Sequence, residues 1–272
     1  MRLSIRHTTR YRFAAPVVHA MQRLRLTPKS TQGQSILEWD MEFENANRQL
    51  TYDDQHHNTV TLVSVESGAQ EVTITCRGLV ATSDHAGIIG RHAGHLPLWS
   101  FQSQTALTKP GPGMRKLARQ MADEQGDRVE MLHKLSRRIL EQVEYRTGTT
   151  HSRTPAEEAF GKGTGVCQDH AHVFIGIARA LEIPARYVSG YLMMNDRIEQ
   201  EAGHAWAEAY VDNLGWVGFD ISNGISPDTR YVRVATGRDY RDAAPVTGIS
   251  FGGGSIALEV NVAVEQQQVQ QQ

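Results

Sequence analysis

The fold of this protein is decided by residues 163–184, GTGVCQDHAHVFIGIARALEIP. The stretch opens with closely spaced glycines and continues with apolar side chains that recur every three or four residues. This spacing predicts a helix that begins near Cys167 and ends before Pro184, because proline cannot continue a helix. The N–H groups of the first helical turn have no partner within the helix, and the helix dipole is positive there. An anion is therefore favoured at the position of Cys167.

Cys167 has two interpretations at this position. The helix dipole favours the thiolate form of cysteine, which is the nucleophilic form. The free N–H groups can also stabilise the oxyanion that forms when a thiolate attacks a carbonyl carbon. The other interpretation is a buried structural cysteine packed beneath a glycine turn. The stretch by itself does not decide between them.

Two residues downstream favour the nucleophile. The residues after the helix read as antiparallel strands, two of which are joined by a turn at residues 212–215. Pairing about that turn places His204 opposite, or nearly opposite, Asp220. The carboxylate can then accept from one imidazole nitrogen while the other faces a thiol. Cys167, His204 and Asp220 are therefore the candidate nucleophile, base and orienting carboxylate, and the spacing does not show that Cys167 reaches the other two.

The rest of the chain predicts an α+β fold in which helices pack on an antiparallel sheet. Residues 1–85 alternate apolar and polar side chains in short runs, which predicts a β-sandwich-like N-terminal domain. Residues 86–112 are rich in glycine and proline and read as a connector. Residues 113–264 are the predicted core, and the Gln-rich residues 265–272 read as a disordered tail.

The composition excludes several classes of partner and fold. The 28 Lys+Arg and 30 Asp+Glu residues nearly balance and no basic block occurs, so we expect no nucleic-acid partner and no membrane partner. Two cysteines are too few for a disulfide scaffold. No run approaches the ~18 apolar residues of a membrane span, and the first residues lack the apolar segment of a signal peptide. We therefore expect a soluble, cytoplasmic protein with free thiols.

The sequence predicts neither a metal site nor a cofactor. His170 and His172 project about 200° apart on a helix, so they do not share an ion. No acidic loop has the ligand spacing of a calcium site. Three residues close in sequence to the candidate nucleophile and base are instead candidate lining residues of a substrate cleft: Gln168, His170 and Trp206.

Structural roles are predicted for other residues near these motifs. Asp169 is expected to cap the helix that begins near Cys167 or to hold a loop, rather than to act in the chemistry. Glu208 is expected to pair with an arginine such as Arg186. Cys76 lies in an alternating run, and we interpret it as a small buried hydrophobe.

The chain resembles the transglutaminase-like superfamily, and more narrowly its bacterial branch of proposed cysteine proteases with that branch's N-terminal region. The resemblance covers nearly the whole chain. The segments that carry it are GTGVCQDHAHVFIGIARALEIPARYVSGY (163–191), GHAWAEAYVDNLGWVGFD (203–220), VATGRDYRDAAPVTGISFGGG (234–254), TRYRFAAPVVHAMQRLRLTP (9–28) and YDDQHHNTV (52–60). It implies a transglutaminase-like or papain-like core, and by position the family's catalytic residues fall on Cys167, His204 and Asp220. The sequence departs from the family at Ile221-Ser222, where a Pro-Thr pair is common.

The expected chemistry is acyl transfer through a thioester formed on Cys167. Water as acceptor makes the protein a protease or amidase acting on a peptide or protein, and a primary amine makes it a transglutaminase. We favour hydrolysis, because water at ~55 M is the default acceptor unless a site excludes it. A peptide-binding module without turnover is the alternative from a different class. The sequence does not indicate the oligomeric state.

Overall fold

The computed structural model describes residues 1–124 and 126–267. Its N-terminal third consists of antiparallel strands, because alternating side chains allow each strand to bury one face. In chain order the strands are β1 (Arg2–Phe13), β2 (Val17–Thr27), β3 (Gln34–Glu44), β4 (Ala46–Asp53), β5 (Thr59–Val65), β6 (Glu71–Thr82) and the short β7 (Ile88–Gly90).

The long strands form two sheets that pack face to face. β1, β6 and β3 are neighbours in one sheet, and β2, β5 and β4 are neighbours in the other. The apolar faces of both sheets contribute to one buried cluster, which includes Val17 and Leu24 from β2 and Ile74 and Cys76 from β6. The N-terminal region is therefore a β-sandwich, as the alternating pattern predicts.

The following residues form the α+β core. Its elements are α1 (Pro112–Ala122), α2 (Arg128–Gln142), β8 (Glu144–Tyr145), α3 (Ala156–Lys162), β9 (Thr164–Gly165), α4 (Cys167–Ala180), β10 (Ala185–Leu192), β11 (Glu199–Gln200), β12 (His204–Val211), β13 (Gly215–Phe219), β14 (Tyr231–Gly237) and α5 (Tyr240–Ala243). The core sheet has the strand order β14-β10-β12-β13-β7, and every pairing in it is antiparallel. Among the residues that the structure describes, no helix is long and apolar enough to cross a membrane.

Helix α4 is the buried centre of the core. It packs against β12, whose residues Ala205, Ala207 and Ala209 alternate toward the helix side of the sheet and belong to the same apolar cluster. These small side chains allow the helix to lie close to the sheet. Gly176 is required for a second close approach, because a Cβ at this position would lie 2.1 Å from the carbonyl oxygen of Thr108. Helices packed on an antiparallel sheet are confirmed as the core architecture.

The last two strands return to the N-terminal sandwich. β15 (Val246–Gly252) pairs with β2, and β16 (Ile256–Gln266) pairs with β1 along its whole length. The predicted core, residues 113–264, therefore ends too late, since a local strand pattern does not identify the partner strand. The predicted tail also begins too early, because Glu265 and Gln266 lie in β16, while residues 268–272 lie outside the described residues.

The predicted connector, residues 86–112, is also partly structured. It contains β7, which pairs with β13 at the edge of the core sheet. Trp216 pairs with Gly90, and Val217 pairs with Ile88. The connector therefore contributes a strand to the core in addition to joining the two regions.

A shared apolar cluster holds the sandwich on the core. Leu3 and Ile5 from β1 belong to one buried cluster with Tyr191 and Val232 of the core sheet. At the other end of β1, Phe13 belongs to the cluster inside the sandwich. One end of β1 therefore packs against the core sheet, and the other end packs inside the sandwich. The residues between the two clusters face the junction of sandwich and core, and the candidate active site lies at this junction.

Candidate active site

Cys167 is the first residue of α4, where the sequence predicts it. The helix start is held by Asp169, whose Oδ2 accepts hydrogen bonds from the Val166 N–H at 2.8 Å and from the Thr150 hydroxyl at 2.6 Å. Burial raises the pKa of Asp169 above its ordinary value, although these hydrogen bonds act in the opposite direction. Asp169 is therefore a helix cap, as expected, and it fixes the backbone on which the Cys167 thiol stands.

His204 and Asp220 are joined by a short hydrogen bond. The distance between His204 Nε2 and Asp220 Oδ2 is 2.6 Å. In the β12–β13 hairpin Ala207 pairs with Phe219, so the next pair along the register places Asp220 opposite Trp206. His204 is thus diagonal to Asp220 rather than directly opposite. A diagonal neighbour in an antiparallel pair lies within reach of a long side chain.

The Asp220 carboxylate is fully buried and accepts from three side chains. Besides His204, the Asn223 amide and the Tyr231 hydroxyl each donate to Oδ2 at 2.7 Å. Burial alone would raise the pKa of Asp220, but the hydrogen bonds and charge of His204 and the two additional donors lower it below its ordinary value. Sequence reasoning missed both donors. Asn223, three residues after Asp220, carries a weak local signal, whereas Tyr231 comes from β14 and carries none.

The imidazole of His204 lies between the carboxylate and the thiol. Because Nε2 is bonded to Asp220, Nδ1 is the ring nitrogen left for Cys167. Burial alone would lower the pKa of His204, but hydrogen bonds and charges from Asp220 and Cys167 raise it to about 10. The ring also stacks on Trp206, with ring centroids 6.2 Å apart. The structure thus brings together the three residues that the sequence selects.

A cavity of about 280 Å³ opens over the thiol and the imidazole. This volume is slightly below the range of about 300–1,000 Å³ that is typical of ligand-binding pockets. Gln168 and Tyr187 from the core are part of its wall. The opposite wall comes from the sandwich and includes His7 and Thr9 of β1 and Arg25 of β2. The cleft is therefore built by both regions of the chain.

The comparisons with known proteins agree with this architecture. Residues 115–221 match the model of the transglutaminase-like superfamily, and residues 3–81 match that of the bacterial transglutaminase-like N-terminal region. The core of the chain belongs to the transglutaminase-like superfamily. The two matches fall on the core and on the sandwich, respectively.

Several relatives match this chain over nearly its full length. An uncharacterized protein of Mycobacterium leprae is 28% identical over 280 residues, a match that covers 97% of this chain and 98% of the relative. An uncharacterized protein of Mycobacterium tuberculosis is 29% identical over 289 residues, covering 97% and 92%. The crystal structure of a Cytophaga hutchinsonii protein, described as a candidate cysteine protease, has the same fold, with a TM-score of 0.76, 22% identity, and coverage of 99% of this chain and 92% of that chain.

Two of the three predicted cleft residues of this transglutaminase-like chain lie elsewhere. Gln168 lines the cavity, and its amide donates to the Ser152 carbonyl at 3.3 Å. His170 is fully buried behind the helix, where Nε2 lies 2.7 Å from the Val143 carbonyl oxygen and Nδ1 lies 3.1 Å from the Ser222 hydroxyl. Both ring nitrogens of His170 have a polar partner inside the protein, and the side chain is not part of the cavity wall.

Trp206 does not line this cavity either. Its side chain is 2% exposed and belongs to an apolar cluster with Val188, Leu192 and Tyr231. Because residues two apart on a strand share a face, Trp206 lies beside His204 and supports the imidazole. Its predicted place in the cleft is corrected to a place behind the base.

The predicted ion pair of Glu208 and Arg186 is confirmed, and a second arginine, Arg233, joins it. Glu208 is fully buried and accepts from Arg186 and, at 2.8 Å, from Arg233. Burial alone would raise the pKa of Glu208, but the two guanidinium groups lower it. Cys76 is fully buried in the sandwich, as predicted, and burial raises the pKa of its thiol to about 12.

Proposed function

We propose that this protein is an acyl-transfer enzyme in which Cys167 attacks a peptide or carboxamide carbonyl and forms a thioester. The observation that carries the proposal is the arrangement of His204, which is hydrogen bonded to the buried Asp220 and faces the thiol at the N-terminus of α4. Nucleophile, base and orienting carboxylate in this order are the arrangement that activates a weak nucleophile.

The protonation state of His204 supports the first step. Hydrogen bonds and charges from Asp220 and Cys167 raise its pKa to about 10, which keeps the imidazole protonated at neutral pH. An imidazolium next to Cys167 stabilises the thiolate, as does the positive end of the α4 dipole. The thiolate then attacks the carbonyl carbon, and the free N–H groups of the first helical turn are donors available to the resulting oxyanion.

The second step is the departure of the amine. His204 gives its proton to the leaving nitrogen as the tetrahedral intermediate collapses, and the acyl group stays on Cys167 as a thioester. The neutral imidazole, held in one orientation by Asp220, then takes a proton from the acceptor that attacks the thioester. The acceptor's oxygen or nitrogen forms the new acyl bond, and the sulfur leaves as the thiolate.

We favour water as the acceptor, so that the enzyme is a protease or amidase. Water is present at ~55 M and competes with any amine that the site does not bind specifically. The description of the Cytophaga hutchinsonii protein as a candidate cysteine protease supports the same choice. A transglutaminase, which uses a primary amine, and a binding module without turnover are the alternatives that the experiments below separate.

Alkylation of the thiols tests the activated nucleophile. Treatment of the folded protein with iodoacetamide near neutral pH, followed by peptide mapping, should label Cys167 faster than a free thiol, with the buried Cys76 as an internal control. His204→Ala should slow the labelling. Labelling of Cys167 at the rate of a free cysteine, in both proteins, would contradict an activated thiol and favour a binding module.

An acceptor assay separates hydrolysis from transamidation. Ammonia release from a glutamine peptide is measured with and without a labelled primary amine, and Cys167→Ala serves as the control. Ammonia release without incorporation of the amine supports an amidase. Incorporation of the amine would overturn the preference for water.

A further inference from the structure

Arg25 in the sandwich occupies a position that its own strand does not predict. In β2, residues 23–26 read RLRL, and this alternation places Arg23 and Arg25 on one face. Arg23 is exposed, whereas Arg25 is only 5% exposed and lines the cavity that also contains Cys167 and His204. The regular register of β2 is interrupted between Leu24 and Thr27, where this difference arises. A charged side chain has therefore been placed inside the cleft.

Asp54 fixes one edge of the Arg25 guanidinium. Nε donates to Asp54 Oδ2 at 3.0 Å, and both side chains are almost fully buried. The carboxylate has no spare capacity, because it also accepts from the backbone N–H groups of His56 and Asn58 and from the Asn58 amide. Asp54 thus positions Arg25 and shares its negative charge among several donors.

The same loop is tied to the core, so Arg25 is held in place relative to the thiol. The Asn58 side chain donates to the Thr236 carbonyl at 2.7 Å and accepts from the Thr236 N–H at 2.8 Å. His56 Nε2 lies 3.2 Å from the carboxylate of Asp242. The motif YDDQHHNTV, which the proposed reaction does not use, therefore links the sandwich to β14 and α5 beside the cleft.

Most of the hydrogen-bonding capacity of Arg25 is unused. Nη1 is buried and has no acceptor among residues 1–124 and 126–267, and Nε makes the guanidinium's hydrogen bond to Asp54. A buried N–H donor without an acceptor costs stability, so its retention needs an explanation. Planar guanidinium groups match the geometry of carboxylates, which accept from two N–H groups at once.

The other described residues of the cleft wall include no acidic side chain that would compete with a ligand for the Arg25 guanidinium. Among the described lining residues, Arg25 is the one Lys, Arg, Asp or Glu, and its neighbours include the aromatic Tyr11 and Tyr240 and the apolar Leu258. His7, on the same wall, is neutral at pH 7 because burial lowers its pKa to about 4. An anion that enters the cleft meets the guanidinium, whose acidic partner Asp54 is not part of the described cavity wall.

We propose that Arg25 is a specificity-determining residue that binds a carboxylate of the substrate, so that the enzyme acts on amides that carry a carboxylate and an apolar group. The inference rests on the proposed function, because it assigns a substrate class to the same site. The carboxylate accepts from the free edge of the guanidinium, and the apolar group lies against the tyrosines. Cys167 then attacks the amide carbonyl between them.

A pair of alkylating probes that differ in one group tests the proposal. N-iodoacetyl-L-phenylalanine carries the carboxylate, and N-iodoacetyl-L-phenylalanine amide is its neutral match. The measurement is the ratio of their second-order rate constants for Cys167, acid over amide. We expect Arg25→Gln to lower this ratio about tenfold or more, as the loss of a charge-assisted hydrogen bond does. Arg23→Gln, the matched change on the exposed arginine, should leave the ratio unchanged.

Further variants and probes keep the test decisive. Arg25→Lys should retain part of the preference for the acid probe. The lysine keeps the positive charge but loses the planar guanidinium that donates two hydrogen bonds to one carboxylate. The α-amide of N-iodoacetyl-L-aspartate separates a side-chain carboxylate from a terminal one. If Arg25→Gln does not fold, the wild-type protein still answers: 3-phenylpropionate should protect Cys167 from iodoacetamide at lower concentration than 3-phenylpropionamide.

The proposal is overturned by an acid-to-amide ratio that is equal in wild type and Arg25→Gln, or by equal protection by the two phenylpropionyl compounds. These outcomes are distinct from failure of the proposed function. That failure is seen with iodoacetamide alone, as a Cys167 labelling rate that His204→Ala does not change.

Discussion

The two walls of the cleft are built from different kinds of polar group. The core wall presents Cys167 and His204, and the pKa of the imidazole is raised by Asp220 and Cys167, while His204 in turn lowers the pKa of Asp220. The sandwich wall presents His7, which burial keeps neutral and which is hydrogen bonded to Tyr191, and a guanidinium held by Asp54. Coupled groups can exchange a proton during a reaction, whereas groups with fixed states can select a ligand. Under the two proposals, chemistry belongs to one wall and recognition to the other.

The nucleophile is the first place to test this division. Cys167→Ala should lower turnover of an amide substrate by about 10⁴-fold or more, since no other group on the core wall forms the thioester. The acceptor assay with a glutamine peptide measures the loss. Residual turnover within tenfold of wild type would mean that the chemistry lies elsewhere.

Removal of the buried charge of Asp220 should disrupt its coupling to His204. Asp220→Asn should lower turnover by about 10²-fold to 10⁴-fold, because the imidazole loses both its orientation and its charge partner. The side chain keeps its size, so Asn223 and Tyr231 retain a neighbour. Unchanged turnover in a folded variant would show that Asp220 has only a structural role.

The protonation of His204 gives this coupling a pH signature. Its folded-state pKa of about 10 lies above the ordinary value of 6.5, so its contribution to stability is complete below pH 6.5 and is lost as the pH rises through 10. Proton NMR of the imidazole, assigned with His204→Gln, should show a titration near pH 10 that moves to lower pH in Asp220→Asn. An imidazole that titrates near 6.5 in the wild-type protein would contradict the coupling.

Substitution of Glu208 tests whether this second charged residue of β12 takes part in the reaction. It lies four residues after His204, and its charge is balanced by Arg186 and Arg233 away from the cavity. Glu208→Gln should lower the free energy of unfolding by about 3–5 kcal/mol, because two arginines lose their buried partner. Chemical denaturation measures this cost. The rate of Cys167 alkylation in the folded variant should stay at the wild-type value, and a large drop would extend the reactive network to Glu208.

The smallest effect is expected at the second cysteine. Cys76→Ala removes one sulfur from the sandwich interior and should lower the free energy of unfolding by about 1 kcal/mol. Iodoacetamide should label Cys167 in this variant at the wild-type rate. A changed rate would indicate that the packing of the sandwich controls the nucleophile.

Part of the site could be predicted because its signals are local. The glycines before Cys167 and the apolar spacing after it lie within about two dozen residues, so the helix start is determined by neighbours in sequence. The pairing of His204 with Asp220 depends on a single hairpin. Tyr231, which also binds Asp220, comes from another strand, and nothing around it in sequence indicates that contact.

The cleft lining shows where local reasoning fails. His170 and Trp206 are close in sequence to the nucleophile and the base, yet His170 is fully buried and Trp206 stacks behind His204. His7 and Arg25 are more than a hundred residues from Cys167 in sequence and line its cavity. Proximity along the chain predicts a shared element, whereas a shared cavity depends on how elements pack.

The sequence by itself determined the superfamily, the sandwich followed by an α+β core, and the three residues proposed for the reaction. The superfamily follows from the resemblance of the quoted segments, whereas the other two follow from periodicity, capping or hairpin spacing, which act over short distances along the chain. The tertiary structure alone decided that β15 and β16 complete the sandwich and that Arg25, unlike Arg23, is buried in the cleft. Strand pairing and burial depend on which surfaces meet after folding. The alternation of polar and apolar residues along a strand is the same whichever partner the strand pairs with.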